Sequence, residues 1–260
     1  MKWFENLRSL KLNQNHNSGL EFYKPSGNFP PDGVVLYAKQ SGLTSFTSLW
    51  AIKHALNTSK IGHTGTLDNF ADGLLVVLSN RMTRFVSHIT DFDKSYEAII
   101  KFGEETDTLD VDGTVIKTAP LPEREDFEKA CRIFTGEQDQ IPPVYSAIQV
   151  NGRRASDLVR DGQELELKKR RITIYENTLI EFTGEYAHIR VACSKGTYIR
   201  ALARDMAQSC GSCAHLVALR RTSVGPFKLQ NAAGYNKLPD FSIGNLPRLL
   251  TRKASSSDIE

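Results

Sequence analysis

The stretch Gly62-His63-Thr64-Gly65-Thr66-Leu67-Asp68 lies just before a continuous apolar run, residues 73–78. Glycine tolerates positive φ and close backbone approach, so this pattern predicts a tight loop that brings Asp68 to the edge of a buried element. On spacing alone, the simpler interpretation is a Gly-rich turn in which Asp68 caps a helix. The segments that accompany the loop further along the chain decide between the two interpretations.

Composition places the chain among ordinary globular proteins, with 40% hydrophobic and 24% charged residues in a length of 260. The net charge is only +3, but the basic residues are unevenly distributed. Seven of them fall between residues 151 and 171: Arg153, Arg154, Arg160, Lys168, Lys169, Arg170 and Arg171. A charge run of this kind is typical of a solvated face, and by itself it leaves contact with RNA open.

Several classes of protein are excluded by the absence of their motifs. The four cysteines are too few and too irregularly spaced for a disulfide framework, and the Cys210-Gly211-Ser212-Cys213 segment has no second pair to complete a zinc site. We therefore expect reduced thiols and no metal. No nucleotide-binding, zinc-protease or serine-hydrolase motif is present. The first 28 residues do not resemble a targeting signal and no apolar stretch could span a bilayer, so we expect a cytoplasmic protein.

The order of elements predicts one α+β domain. We expect a partly mobile N-terminal extension (1–33), a folded domain (34–228) and a short C-terminal tail (229–260), too short for a further domain. Predicted strands and helices are interspersed without regular βαβ alternation, which favours a mixed sheet over a Rossmann fold. Strands are predicted at 33–37, 96–102, 171–175 and 188–192, and helices at 81–89, 123–136 and from 196 to 211.

Two further segments have local interpretations. A helix is predicted to begin with Ser45 as its N-cap and to bury a stripe of four apolar side chains: Trp50, Ile52, Ala55 and Leu56. The acidic segment Asp107–Gly113 has the spaced aspartates of half a calcium loop but lacks the glutamate at position twelve. We therefore interpret it as a solvated turn.

Four segments taken together carry a resemblance to a known family: Gly62–Asp68, Asp93-Lys94-Ser95-Tyr96, Ile141–Ala147 and Cys193–Arg200, followed by Leu219-Arg220-Arg221. In this order, from about residue 33 to about 227, they resemble the bacterial TruB-type tRNA pseudouridine synthases. The resemblance implies a pseudouridine synthase fold, with a mixed, largely antiparallel sheet, flanking helices and an RNA-binding insertion. It also implies isomerisation of uridine 55 in the tRNA T-loop by a monomer that needs no cofactor or metal.

The resemblance assigns roles to five residues near the reacting base. Asp68 matches the catalytic carboxylate, which either attacks the substrate or abstracts a ribose proton to give a glycal-type intermediate; the residues do not choose between these routes. Arg200 matches the arginine that pairs with it. Tyr96 matches the tyrosine that stacks on the base and helps to remove its C5 proton. His63 matches the histidine that fills the space left by a flipped base, and Leu219 a leucine lining the uracil pocket.

Other matches concern RNA binding, and one departure concerns the pH dependence. Lys39 survives from an early family turn and is expected to bind the substrate, as are Arg153 and Arg154 of the insertion. Asp72 replaces a neutral family residue and puts a second carboxylate near Asp68, so we expect an upward shift of the pH optimum. The alternative function is that of a non-catalytic tRNA-binding or tRNA-folding protein on the same scaffold.

Overall fold

The computed structural model describes residues 32–251, so the predicted N-terminal extension and the last nine residues of the predicted tail lie almost wholly outside the described part. A single nine-stranded sheet dominates this part. Its strands are β1 (Gly33–Lys39), β2 (Ile61–His63), β3 (Asp72–Ser79), β4 (Lys94–Phe102), β7 (Gly136–Gln140), β10 (Arg170–Phe182), β11 (Tyr186–Cys193), β12 (Ala214–Val224) and β13 (Phe227–Lys228). Two hairpins stand apart from it, β5–β6 (Glu104–Thr106, Val115–Thr118) and β8–β9 (Gln149–Val150, Arg153–Arg154).

The strand order is β1-β3-β12-β4-β11-β10-β7, with β2 paired to β3 and β13 paired to β12. Every pairing in the sheet is antiparallel except that of β12 with β3, which is parallel over two residue pairs. The predicted mixed, largely antiparallel α+β sheet is therefore confirmed. The α-helices are α1 (Ser45–Leu56), α2 (Val86–Thr90), α3 (Arg124–Ile133), α4 (Ala155–Arg160), α5 (Ile199–Ser209) and α6 (Leu246–Thr251).

Strand β3 joins the edge strands β1 and β2 to the rest of the sheet. It is the apolar run noted in the sequence, and all eight of its residues are buried because β1, β2 and β12 flank it. Gly73, at its start, has a φ of 109°, and a Cβ there would lie 2.5 Å from the Arg221 carbonyl oxygen. Only glycine permits β3 and β12 to approach this closely.

The two faces of the sheet are covered by different elements. Helices α3 and α5 cover one face, where Ile100, Phe127 and Met206 belong to the largest core cluster. The other face carries Ile99 and Val217 under residues 241–249, so the C-terminal segment, as far as it is described, packs on the sheet. Because side chains alternate across a strand, neighbouring residues of β4 and β12 serve opposite faces. No helix within residues 32–251 is long and apolar enough to cross a membrane.

Helix α1 corrects part of the sequence analysis. Thr44, not Ser45, is the N-cap, since its side-chain oxygen accepts the backbone N–H of Thr47 at 2.9 Å. The buried side of the helix is formed by Ser45, Ser48, Leu49, Ile52 and Leu56. Trp50 and Ala55 were predicted to be buried and are exposed. The prediction failed because Trp50 lies on the side of the helix opposite the buried set, and Ala55 lies at the edge of that set.

The other predicted helices are largely found. Helix α3 buries Phe127, Ala130 and Cys131, and α5 follows Tyr198 and ends at Ser209. The helix predicted over 81–89 is a 3-10 turn, Asn80–Phe85, followed by the short α2.

Candidate active site

The loop that carries Asp68 lies between β2 and β3 and is fixed from several sides. The Thr64 N–H donates to the Val76 carbonyl at 3.0 Å, which extends the β2–β3 pairing into the loop. The hydroxyl of Ser45, at the start of α1, accepts the Leu67 N–H at 2.9 Å and donates to the Leu67 carbonyl at 3.1 Å. These bonds leave the Asp68 loop (residues 62–68) little freedom, and they explain why a serine is buried at the start of α1.

Asp68 forms a two-point ion pair with Arg200 in the first turn of α5. The Arg200 Nε lies 3.0 Å from Oδ2 of the aspartate and Nη2 lies 3.2 Å from Oδ1. The arginine side chain is 5% exposed and the aspartate side chain 38%. The carboxylate is therefore held in one orientation by a buried cation while its other side faces solvent.

Arg200 is itself held by a residue that sequence reasoning missed. Its Nη1 donates to Asp110 Oδ2 at 3.0 Å and to the Thr108 carbonyl at 2.6 Å, and its Nη2 donates to the Tyr145 carbonyl at 2.9 Å. Asp110 lies in the acidic segment predicted to be a solvated turn, yet its side chain is only 7% exposed. Burial raises the pKa of Asp110 above its ordinary value, and the Arg200 charge opposes this increase.

The interpretation of the acidic segment as a solvated turn is thus wrong at one residue. Asp110 points inward because the Thr108 hydroxyl and the Asp112 N–H donate to its Oδ1, at 2.7 and 3.1 Å. The one signal in the sequence is Leu109, an apolar residue within the turn, which is buried and whose carbonyl accepts the Leu216 N–H.

Tyr96 and Arg221 form a second buried pair on neighbouring strands. They lie opposite each other in the β4–β12 ladder, and the guanidinium hydrogen-bonds the tyrosine hydroxyl. Arg221 also donates to the Leu74 carbonyl at 2.8 Å and to the Gly65 carbonyl of the Asp68 loop at 3.1 Å. Burial raises the pKa of Tyr96 to about 12, and the Arg221 charge partly offsets it. The phenol is therefore protonated at neutral pH.

These groups meet at a cavity of about 970 Å³. Its walls bring together five of the predicted site residues: His63, Asp68, Tyr96, Arg154 and Arg200. Its rim also carries a set of basic side chains: Arg160, Arg170, Arg171 and Lys195. Among residues 32–251 no three acidic, histidine or cysteine side chains come together in a way that could hold a metal ion. The arrangement offers an oriented carboxylate, an aromatic ring and a cationic rim.

Comparison with known proteins assigns the chain to a family. A family model described as "TruB family pseudouridylate synthase (N terminal domain)" matches residues 53–199, more than half of the chain. This chain belongs to the TruB family.

Individual relatives agree with the family. The chain is 48% identical over 229 residues to the tRNA pseudouridine synthase B of Treponema denticola, a match that covers 80% of this chain and 64% of that protein. It is 46% identical over 213 residues to the protein of the same name from Bordetella avium, with 80% and 87% covered. The chain thus spans less than two thirds of the length of the Treponema relative.

Solved structures show the same fold at lower identity. A chain of a Cbf5-Nop10-Gar1 complex is similar with a TM-score of 0.59 and 29% identity, over 75% of this chain and 50% of that one. A chain of an H/ACA RNP bound to a substrate RNA containing 2'-deoxyuridine is similar with a TM-score of 0.56 and 28% identity, over 75% and 48%.

Lys39, which was predicted to bind the substrate of this TruB-family chain, does not line the cavity. Its side chain is completely buried and its Nζ donates to four carbonyls. The acceptors are Gln40 (3.1 Å), Leu43 (2.6 Å), Asn69 (3.4 Å) and Ala71 (2.6 Å). An ammonium group has only three hydrogens, so none remains for an RNA phosphate. Lys39 ties the end of β1 to the segment that follows Asp68, and its expected contact with substrate is not supported.

Of the remaining predicted residues, His63 and Arg154 line the cavity, whereas Arg153 and Leu219 do not. His63 lies in β2 on the cavity wall, and burial lowers its pKa, which favours a neutral ring. Arg153 and Arg154 form the exposed strand β9; Arg154 reaches the cavity, whereas Arg153 pairs with Asp161 outside it. Leu219 was expected to line the pocket but lies in the core cluster behind it, with 6% exposure.

The structure also corrects the role that was expected for Asp72. Arg220 binds both of its carboxylate oxygens at 2.7 Å, and both side chains are less than 10% exposed. Arg220 also donates to the Pro239 carbonyl at 2.9 Å and lies 4.9 Å from the Phe241 ring centroid, on the sheet face opposite the cavity. The charge of Asp72 is therefore neutralised away from Asp68, and the structure removes the basis for the expected shift in pH optimum.

We predict that Asp72→Asn lowers the free energy of unfolding by about 3–5 kcal/mol, because Arg220 keeps a buried charge without its partner. The measurement is urea denaturation at neutral pH. The control is Glu128→Gln, which breaks the exposed Arg124–Glu128 pair of α3 and should cost less than about 1 kcal/mol. Equal losses in the two variants would contradict the importance of the buried pair.

A second prediction concerns the pH dependence of stability. Burial lowers the pKa of Lys39 to about 8 from 10.5. Between these values the unfolded chain binds more protons than the folded one, so the contribution of Lys39 to stability rises as pH increases through this window. Wild type should gain unfolding free energy relative to Lys39→Met there, by at most about 1.4 kcal/mol per pH unit. Parallel stability curves for the two proteins would show that the lysine pKa is not depressed.

Proposed function

We propose that this protein isomerises uridine 55 in the T-loop of tRNA to pseudouridine, acting in the cytoplasm. The observation that supports this most strongly is the half-exposed Asp68 carboxylate, oriented by the buried Arg200 at a cavity that also presents Tyr96. The relatives named tRNA pseudouridine synthase B support the same reaction and substrate. The cationic rim fits a polyanionic ligand, and the cavity volume exceeds that of one nucleobase.

The reaction exchanges one bond for another without redox change. The bond between C1′ of the ribose and N1 of uracil breaks, the base turns, and C1′ bonds to C5. C5 then loses its proton and N1 gains one. A carboxylate that either bonds covalently to the substrate or takes a ribose proton fits both open routes, and Asp68 is placed for either. The two-point contact with Arg200 holds the carboxylate in one orientation.

Tyr96 and the rim act on the base and on the RNA backbone. A uridine inside a folded loop must leave its stack before it can enter the cavity, at a cost of a few kcal/mol. The Tyr96 ring offers a stacking surface for the extruded base. Its hydroxyl lies beside Arg221, whose positive charge lowers the cost of losing the phenol proton to solvent, and the phenolate so formed accepts the C5 proton. His63, which lines the cavity, takes the space that the extruded base leaves in the RNA.

The first test is release of tritium from a T-arm stem-loop RNA labelled at uridine C5. Wild type should release label, and Asp68→Asn should lower the rate by at least about a thousandfold, since the reacting carboxylate is lost. Asp157→Asn is the matched control, because it removes a carboxylate from the same cavity wall that makes no contact with Arg200. Failure of wild type to release label from stem-loop or full-length tRNA would favour the non-catalytic RNA-binding alternative.

A further prediction follows from the contact between Asp110 and Arg200. Asp110→Asn keeps the shape of the side chain but weakens a charge-assisted hydrogen bond, so we expect kcat to fall about ten- to a hundredfold with a smaller change in KM. Asp112→Asn, an exposed neighbour in the same turn, should leave kcat within about twofold. The comparison is of single-turnover tritium release, with thermal melting of each variant to identify a loss of folding. Similar rates for the two variants would contradict a positioning role for Asp110.

A further inference from the structure

The outward face of α1 carries a line of aromatic rings. Phe46 is 74% exposed and Trp50 is 53% exposed. They and His54 are spaced four residues apart, which places them one above another along the helix. We name these three residues the aromatic ridge. A helix of a globular protein normally presents polar side chains to water on this face, and three rings in one line are unlike the scattered apolar residues of an ordinary surface.

The charged side chains of α1 itself are of one sign. Lys53 Nζ lies 5.5 Å from the centroid of the Phe46 ring, and the Trp50 and His54 ring centroids are 5.0 Å apart. Helix α1 contains no aspartate or glutamate. Aromatic rings beside cations, with no acidic residue among them, form the kind of surface on which unpaired nucleotides stack, since every base has a π-face and every linkage a negative charge.

The ridge is continuous with the candidate active site. Phe46 lines the mouth of the cavity together with His63 and Asp68. From Phe46 to His54 the helix rises about 12 Å, at 1.5 Å per residue. When one base of a loop is drawn into the cavity, its neighbours lose a stacking partner close to the mouth. The first ring outside the cavity is then in place to replace that partner.

We propose that the aromatic ridge stacks on the unpaired nucleotides that flank the uridine entering the cavity, with Lys53 beside their phosphates. This rests on the proposed function, because the RNA in the cavity is its starting point. Phe46 takes the nucleotide nearest the cavity and Trp50 the one beyond it. The ridge thereby selects RNA with unpaired bases on this side of the flipped uridine.

The fluorescence of Trp50 tests the contact directly. The chain has two tryptophans, Trp3 and Trp50, so a Trp3→Phe variant leaves Trp50 as the reporter, and Asp68→Asn added to it keeps the RNA unconverted. Titration with the T-arm stem-loop should quench the emission, and a blunt-ended RNA duplex with the same number of nucleotides, which has no unpaired bases, should not. An unquenched signal while filter binding shows bound stem-loop would overturn the proposal. So would emission already shielded from acrylamide before RNA is added, since another segment or a second copy would then cover the ridge.

Kinetics in the otherwise wild-type chain separate this inference from the proposed function. Trp50→Ala should raise KM for the stem-loop about tenfold, and Trp50→Phe should restore most of it because the ring remains. The loss should fall on KM rather than kcat, since Trp50 touches no reacting atom. Ile133→Ala is the matched control, as Ile133 of α3 is 73% exposed and lies outside the cavity. If wild type is active and Trp50→Ala leaves KM unchanged, the proposal for the aromatic ridge is overturned but the proposed function is not. If wild type is inactive but the stem-loop quenches Trp50, the proposed function is overturned but the proposal for the ridge is not.

Discussion

The candidate site depends on the burial of a single guanidinium group. Arg200 has five N–H groups; four donate hydrogen bonds, to Asp68, Asp110 and the carbonyls of Thr108 and Tyr145, and its Nε lies 3.0 Å from the second Asp68 oxygen. An unpaired buried charge would cost several kcal/mol, so the fold must bring all of these acceptors to the start of α5. Three loops that are distant in sequence are thereby drawn together, and the orientation of the Asp68 carboxylate follows from satisfying the arginine.

Strand β12 carries two neighbouring buried arginines, and the guanidinium of each must find hydrogen-bond acceptors on its own face of the sheet. Its neighbouring arginines point in opposite directions because side chains alternate along a strand. Arg221 reaches the Asp68 loop and Tyr96 on the cavity side, whereas Arg220 binds Asp72 and the Pro239 carbonyl on the other. Both contacts require β3 and β12 to lie in register at Gly73. Strand β12 thus holds the Asp68 loop on one face of the sheet and anchors the C-terminal segment on the other.

The sequence predicted the sheet type, the loop and the pair of Asp68 with Arg200, since apolar runs, glycines and the family resemblance all point the same way. It failed where a residue departs from the usual behaviour of its type. Lys39 is a buried lysine, Asp110 a buried acid in an acidic turn, and Trp50 an exposed tryptophan. Distant partners explain the first two failures, because Lys39 donates to a carbonyl 32 residues away and Asp110 accepts from an arginine 90 residues away. Local patterns carry no information about such contacts.

Under the proposed function, the hydrogen bonding of Arg200 also decides which side chains are available to attract RNA. A guanidinium with these partners has no donor left for a phosphate, so the attraction must come from the rim. There the arginines differ. Arg160 and Arg171 are compensated by neighbouring carboxylates, whereas Arg154 and Arg170 line the cavity with no carboxylate within ion-pair distance among residues 32–251. The paired Arg160 and Arg171 stabilise the structure of this segment, whereas the uncompensated Arg154 and Arg170 supply the positive potential of the rim. The fold thus divides the basic run of the sequence into arginines that are paired with carboxylates and arginines that are not.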